Sequence, residues 1–540
     1  MPGGAGVLLD PMAIMLVAAA GLYYALGETM DAAVLFCALI PVLGARWALQ
    51  ARTHSALRRL AQVAAPQSEG RVPLGLPEGA TSFQRRAGVL LRRWDVVVIA
   101  LGVALFGVGL ASDEPWMRAG LAAVTFAIAA VPAGVAMVPT LFVSVEAWRL
   151  VSRNVVVRRL PAMETLGSAT VISVDDTVLA RPEAVGAIAE CQRAGIRVVV
   201  VTADDKPTAR TLAETAGLPH DDASIVTGEE LESLRESERG RESRIQRATI
   251  FARMSPAQKF LLVDGLQRAG GIVVMTGDGI DDGPSLRRAD VGIVGERGTD
   301  GARAAADVVL REDNLSSIVD AIRASRHVLQ NSQRALLYLL SFQLPVVVLA
   351  AVAPLAGAPL AVLPIHLVWL GLLSLSVAAG VFQAEAASRN VMTRPPRDAG
   401  SPLLPNPALA RSALSGAAVA LGAWVTYTGQ LPVVGEAEAR ATALVVLLGA
   451  NQALMFAERL ALPGLGMDLI PRARAFWLAW CASAASFGVV LYVPAISQVF
   501  SVEPPAVAPM LAAFALGVLG VVWRLVAAPR QSPAPADGAR

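Results

Sequence analysis

Acidic residues that end β-rich runs are the side chains of this sequence best placed to do chemistry. Asp175 and Asp176 follow the run Ala169–Val174, Asp204 follows Arg197–Thr202, and Asp278, Asp281 and Asp282 follow Gly271–Thr276. Further β-rich runs at Ala248–Ala252 and Val291–Val294 alternate with helix-like stretches at Pro182–Ala194, Pro207–Ala216 and Pro256–Ala269. That alternation predicts a doubly wound parallel sheet, in which ligands bind beyond the carboxyl ends of the strands. Carboxylates gathered in one such crevice repel one another unless a cation sits among them, and oxygen ligands on loops suit Mg²⁺. Of the 46 basic residues only Lys206 and Lys259 are lysine. Lys259 opens the third helix-like stretch, where a compact cation beside the carboxylates has a use.

The elements that position this crevice lie between membrane spans. The chain has 540 residues, 54% hydrophobic and 17% charged, against roughly a quarter charged in soluble domains, which excludes a purely soluble enzyme. Apolar runs near the ~20 residues that cross a bilayer predict ten spans, near 11–27, 32–49, 94–111, 119–146, 336–356, 358–384, 412–431, 441–457, 475–494 and 506–528. Arginines crowd the interval 46–93 and recur at Arg389, Arg394, Arg397, Arg411, Arg459, Arg472 and Arg474. By the positive-inside rule these loops are cytoplasmic, with both termini on that side. The expected organisation is spans one to four over 1–154 with a short cytoplasmic loop 46–93, a cytoplasmic domain over 155–325, spans five to ten over 326–528, and a disordered tail over 529–540. No cleavable signal peptide is expected, because the first apolar run lacks a basic leader. The partner environment is the lipid bilayer, and a net charge of +2 argues against nucleic acid. Cys37, Cys191 and Cys481 are too far apart for a disulfide framework or a zinc cage.

Asp175 and Thr202 at strand tips, Lys259 starting a helix, and Asp278 with Asp282 in Thr276-Gly277-Asp278-Gly279-Ile280-Asp281-Asp282 resemble the four motifs of the haloacid dehalogenase phosphotransferase fold. The flanking sequence narrows the resemblance to P-type ATPases of the calcium, sodium and proton kind. Arg158 to Ser168 is similar to the approach to the family's phosphorylated aspartate, Ala252 to Lys259 and Thr276 to Leu286 to its hinge and metal motifs, and Met392 to Arg397 to the segment after its sixth helix. The resemblance implies an α-helical polytopic membrane protein of about ten spans with one cytoplasmic α/β haloacid-dehalogenase-like, Rossmann-type domain. It also implies roles: Asp175 as nucleophile, Thr202 and Lys259 holding phosphoryl oxygens, Asp175, Thr177, Asp278 and Asp282 holding Mg²⁺, and Thr276 and Gly277 shaping the phosphate loop.

The departures from that family bear on function. Its Asp-Lys-Thr-Gly-Thr reads Asp175-Asp176-Thr177-Val178-Leu179 here, and only Ala180 separates Leu179 from the Arg181-Pro182-Glu183 that resembles the far side of the family's nucleotide domain. ATP is therefore expected to bind weakly or not at all. The interval 46–93 is too short for the family's actuator domain and holds no Thr-Gly-Glu. The Thr227-Gly228-Glu229-Glu230 run is expected to be a capped surface helix. At the transport site the family's helix-four glutamate aligns with Ala133 in Pro132-Ala133-Gly134-Val135, its helix-five polar pair with Gln343 to Val346, and its helix-six aspartate with Leu375. Since a desolvated cation needs carboxylate or many oxygens, that site reads as eroded, although Gln343, Ser374 and Ser376 are polar enough for something neutral. No Cys-Pro-Cys marks a heavy-metal pump. His366, Asn451 and Gln452 are expected to make interhelical hydrogen bonds, and Asp204 to cap a helix or contact a hinge.

Three readings follow: a non-pumping relative acting as a scaffold or regulator of a complete P-type pump; a membrane-anchored Mg²⁺-dependent phosphatase with an uncovered Asp175 pocket; and a cation pump completed by a nucleotide-binding domain in trans. Each predicts a multi-pass protein of a bacterial plasma membrane.

Overall fold

Apolar runs interrupted by arginine-rich intervals fold here as long helices that continue past the apolar stretch. The computed structural model describes residues 11–64, 82–131, 135, 137–179, 181–233, 238–388, 390–397, 401–460 and 471–526. Ala133, the Ser532–Arg540 tail, Arg71, Arg389 and the side chains of Arg85, Arg86, Arg92 and Arg93 lie outside the described residues. The N-terminal helices are α1 (Pro11–Ala25), α2 (Thr29–Ala64), α3 (Ser82–Ala111), α4 (Trp116–Ala130) and α5 (Met137–Val151). The expected loop 46–93 is thus largely helix, because Ala, Leu, Arg and Gln between Arg46 and Ala64 are good helix formers with no Gly or Pro to stop them. The expected fourth span, 119–146, is two helices meeting near residues 131–136, where Pro132 removes a donor.

The middle of the chain alternates as expected. It runs β1 (Val155–Val157), α6 (Leu160–Gly167), β2 (Val171–Val174), α7 (Asp176–Leu179), α8 (Ala184–Arg193), β3 (Arg197–Val201), α9 (Lys206–Thr215), β4 (Ile225–Thr227), α10 (Gly228–Ser233), α11 (Glu238–Arg247), β5 (Ile250–Ala252), α12 (Pro256–Arg268), β6 (Val273–Thr276), α13 (Gly283–Arg288), β7 (Val291–Val294), α14 (Asp300–Ala305) and β8 (Val308–Leu310). These strands form one sheet in the order β1-β8-β7-β6-β2-β3-β5-β4, parallel except where β1 meets β8. Their Val and Ile residues, apart from the half-buried Val309, are buried on both faces, as a helix-covered parallel sheet requires. The direction of winding reverses between β6 and β2, whose register pairs Val171 with Val273 and Ser173 with Met275. A crevice therefore opens at the carboxyl ends of these two strands.

Helix α15 (Leu315–Leu355) runs from this sheet into the apolar bundle. Asn314 caps it, accepting from the Ser316 amide at 2.9 Å. Its 41 residues reach ~60 Å at 1.5 Å per residue, about twice the hydrocarbon thickness, so one rod serves both domain and membrane. The remaining helices are α16 (Pro364–Ala384), α17 (Asn406–Val434), α18 (Glu436–Leu460), α19 (Arg474–Tyr492), α20 (Pro494–Val499) and α21 (Val507–Val526). Among the described residues seven helices are long and apolar enough to cross a membrane, and three shorter apolar helices fall within expected spans one, three and four. The architecture is a polytopic membrane protein with one α/β domain.

Arg326 on α15 ties the two parts together. Its guanidinium donates to Gly167 O, Val391 O, Arg394 O and Ala194 O at 2.9–3.3 Å. The segment after α16 packs so closely on the sheet domain that a Cβ on Gly195 (φ +69°) would come 2.9 Å from Pro395 Cα, which only glycine avoids.

Candidate functional site

The short apolar β2 ends in Asp175, and the ends of its neighbours close around it. The Asp175 amide donates to Thr276 Oγ1 at 2.9 Å, locking the tip of β2 to that of β6. Its Oδ1 accepts from the Thr177 hydroxyl at 2.9 Å and from the Val178 amide at 3.3 Å. Asp175 is only 9% exposed, so the uncovered pocket expected for this residue is not what the structure shows: the turn of α7 folds over it. Burial pushes its pKa up to about 6, the hydroxyl of Thr177 and amide of Val178 pull it back, and the charges of Asp278 and Asp176 add to the rise.

Thr202, 2% exposed, stands at the tip of β3 and accepts from the Asp204 amide at 3.1 Å through Oγ1. Helix α12 begins at a capping box in which Ser255 Oγ accepts from the Gln258 amide and Gln258 Oε1 accepts from the Ser255 amide. This cap fixes the first turn, from which Lys259 Nζ reaches Asp282 Oδ1 at 2.7 Å. Asp282, 5% exposed, also accepts from the Gly279 amide at 3.3 Å. Gly277 permits this fold of the loop, since a Cβ there would lie 2.9 Å from Asp282 Oδ2. Asp278 remains half-buried, and its charge contributes to the field at Asp175. Asp175, Thr177, Thr202, Lys259, Thr276, Gly277, Asp278 and Asp282 are thus gathered on the loops at one end of the sheet, with Asp282 holding the lysine.

Residues near this crevice divide into structural tasks. Asp205, not Asp204, caps α9, accepting from the Thr208 amide at 3.1 Å, while the Asp204 carbonyl accepts from the Arg253 amide at 2.8 Å. Lys206 pairs with Glu230 at 2.5 Å on the surface. Thr227 and Glu230 cap each other reciprocally, as expected for a surface helix.

In the apolar bundle, two of the three expected transport positions meet. Gln343 and Leu375 line one cavity of about 60 Å³ together with Ser374 and Arg46. Helix α4 ends beside it, and the carbonyls of its last two residues lack intrahelical partners. Gln343 Nε2 donates to Ala129 O, and Trp94 Nε1 donates to Ala130 O at 2.7 Å. His366 accepts from the Leu363 amide and bonds the Phe500 carbonyl through Nε2, Tyr338 donates to Asn451 Oδ1, and Gln452 bonds Trp480 O and Ser483, as expected for interhelical glue.

Sequence reasoning missed the buried ion pairs. Arg459 holds Glu385 through two bonds of 2.7 and 2.8 Å, and Arg524 holds Glu458 at 2.6 Å with the Ser341 hydroxyl also donating to Glu458. The signal was present: Glu385, the adjacent Glu458 and Arg459, and Arg524 are charges at the ends of apolar runs.

Comparison with known proteins agrees with this layout. Residues 140–290 match the family model for haloacid dehalogenase-like hydrolases, and residues 359–528 match that for the C-terminus of cation transporting ATPases. The chain is 40% identical over 220 residues to calcium-transporting ATPase 1 of Bacillus cereus, covering 41% of this chain and 24% of that protein. It is 36% identical over 228 residues to an endoplasmic reticulum calcium ATPase of Aspergillus fumigatus, covering 42% and 23%. It is 34% identical over 334 residues to the probable cation-transporting ATPase F of Mycobacterium bovis, covering 60% and 36%. The chain therefore spans about a quarter to a third of the length of these relatives. With the motifs in order on the sheet and both family models matched in sequence, the chain is similar to cation-transporting P-type ATPases over its α/β domain and its C-terminal membrane segment.

Proposed function

We propose that this chain is a P-type ATPase relative that does not pump, acting as a membrane scaffold or regulator, with a retained Mg²⁺ and phosphate site in its α/β domain. The observation that carries the reading is the junction between α7 and α8, which leaves residues 180–183 where the resemblance calls for a nucleotide-binding domain. The lining around Gln343 and Leu375, which among the described residues holds no carboxylate, supports it further.

The retained site is argued from donor chemistry. Among the described residues no group of three His, Cys, Asp or Glu side chains forms a metal cage, but Mg²⁺ is commonly held by one or two carboxylates with waters and phosphate. The charge of Asp278 adds to the cost of ionising Asp175, which a cation relieves, so the donors fit. Asp175, Asp278 and Thr177 would hold Mg²⁺, with Asp282 beside them; bound there, it would neutralise charge on a phosphoryl group. Thr202 offers its hydroxyl proton and Lys259 an ammonium to phosphoryl oxygens, Thr276 fixes the Asp175 backbone, and Gly277 lets Asp282 aim the lysine. Asp175 is the nucleophile of any phosphoryl step, and it is ionised above its raised pKa. The partner of a scaffold would be a complete P-type pump, and the setting a bacterial plasma membrane with both termini cytoplasmic.

Acyl-phosphate trapping on the purified full chain tests this, with labelled ATP and labelled acetyl phosphate and Asp175→Asn as control. No ATP-derived label on Asp175 is expected. Label from ATP on the chain alone would overturn the reading, and turnover of acetyl phosphate without ATP labelling would favour a phosphatase.

A further inference from the structure

Where α15, α18 and the segment after α16 meet, positive charge outnumbers negative among the described residues. Arg334 on α15 is wholly buried, and a guanidinium is not deprotonated in proteins. Its Nη1 donates to Asn331 Oδ1 at 3.0 Å, an acceptor aimed by the bond from Asn331 Nδ2 to the Glu385 carbonyl at 3.3 Å. Its Nε and Nη2 have no hydrogen-bond partner among the described residues. The charges felt at Arg334 are those of Glu385 and Arg459. Arg459 already takes both carboxylate oxygens of Glu385, at 2.7 and 2.8 Å, and its guanidinium lies 5.4 Å from the centre of the Phe476 ring. Glu458, the neighbour of Arg459 in sequence, is held by Arg524 and Ser341. Two guanidiniums therefore share one carboxylate, and a buried charge left without a partner is strongly unfavourable.

We propose that Arg334 holds a monovalent inorganic anion, chloride, in the fork between its Nε–H and Nη2–H. The two hydrogens on that edge of the planar guanidinium point the same way, so one spherical ion accepts from both. Charge sets the valence: one added negative charge balances the two guanidiniums, whereas a dianion would over-correct. Burial sets the size. Arg334, Asn331, Glu385, Arg459 and Phe476 are all buried, so the outer oxygens of a phosphate or sulfate would be taken from water with no donor in return. A water molecule satisfies the two donors but leaves the charge unbalanced. The site involves no group of the Asp175 crevice.

The full chain in micelles of an uncharged detergent is titrated with sodium chloride against sodium gluconate at constant ionic strength. Chloride is expected to raise the thermal unfolding temperature saturably, because it binds only the folded state, with bromide replacing it and sulfate failing to. Excess broadening of the chloride NMR line, displaced by bromide, reads occupancy without any variant. Arg334→Gln should remove both effects. Arg459→Gln leaves Arg334 intact but releases Glu385 to pair with it, so it should remove chloride binding too. Glu385→Gln works in the opposite direction: with both guanidiniums unmatched, chloride should bind at least tenfold more tightly. Equal unfolding temperatures in chloride and gluconate, the result for a site filled by water, would overturn the proposal. So would sulfate as effective as chloride, or a chloride response unchanged in Arg334→Gln or in Arg459→Gln.

Discussion

Asp175 shows how one side chain links burial, pH and chemistry. Its unfolded pKa is near the ordinary 3.8 and its folded value about 6, so between these limits the folded state holds more protons than the unfolded one. By linkage, stability from this group is full below about pH 4 and falls as pH rises, losing about 3 kcal/mol by the time Asp175 is ionised in the fold. Asp175→Asn keeps an acceptor for Thr177 and carries no charge. In chelator, hydrogen exchange of the β2 and β6 amides in the full chain should show the variant more protected than wild type at pH 7.5 and equal to it at pH 4. Equal protection at both would contradict the buried-carboxylate account. Mg²⁺ adds the converse test. Binding only the folded state stabilises it by about 2.7 kcal/mol at a hundredfold excess over Kd, so millimolar Mg²⁺ should protect the same amides in wild type and do so less in Asp278→Asn. The participants in this site were legible in the sequence because Asp and Thr at strand tips, and a rare Lys in the first turn of a helix, have few other reasons to recur. Their pairing was not: nothing local says that Lys259 will be held by Asp282, or that the turn at Thr177 will bury Asp175.

At the scale of elements, β2, β3, β5, β6 and β7 were readable from their apolar runs between turn and helix signals, while the short β1, β4 and β8 were not, since β1 and β8 continue from neighbouring helix or loop sequence and β4 runs directly into a helix. The break between α4 and α5 was readable from Pro132 and Gly134, but the donors that cover its carbonyls come from α3 and α15, a long-range fact. The same holds for the pair between α18 and α21. Glu458 is wholly buried and Arg524 nearly so, and desolvation of such a pair nearly cancels its attraction. Removing one partner is the costly change. Arg524→Met should destabilise the bundle by about 3–5 kcal/mol by leaving Glu458 alone, whereas Arg524→Met with Glu458→Leu should recover most of that loss. Denaturant unfolding in micelles measures both. A double variant as unstable as the single one would mean that Ser341 and Ser412, which also touch the pair, carry the energy instead.

For the whole molecule the question is whether anything could drive α15. This helix runs from the sheet domain to the cavity, and Arg326 fastens it to Gly167 and Ala194 on one side and to Val391 and Arg394 on the other. Movement of the α/β domain would therefore reach Gln343 directly. A cycle needs more than a lever, because a ligand shifts a conformational equilibrium only by its differential affinity for the two states. On the proposed reading, the four residues 180–183 between α7 and α8 leave no surface there to deliver phosphate from ATP, and the turn at Thr177 covers Asp175. Restoring the ion site should then fail to restore transport. Leu375→Asp places a carboxylate in a mostly apolar cavity, which should cost ~2.5–3.5 kcal/mol as for other intramembrane charges. Adding Ala133→Glu supplies a second carboxylate. Proteoliposomes carrying wild type, Leu375→Asp or Leu375→Asp with Ala133→Glu should show no ATP-dependent Ca²⁺ or Mn²⁺ uptake, with at most passive cation binding in the double variant. Uptake by the double variant alone would place the lesion at the ion site rather than at the drive, and uptake by wild type would end the non-pumping reading.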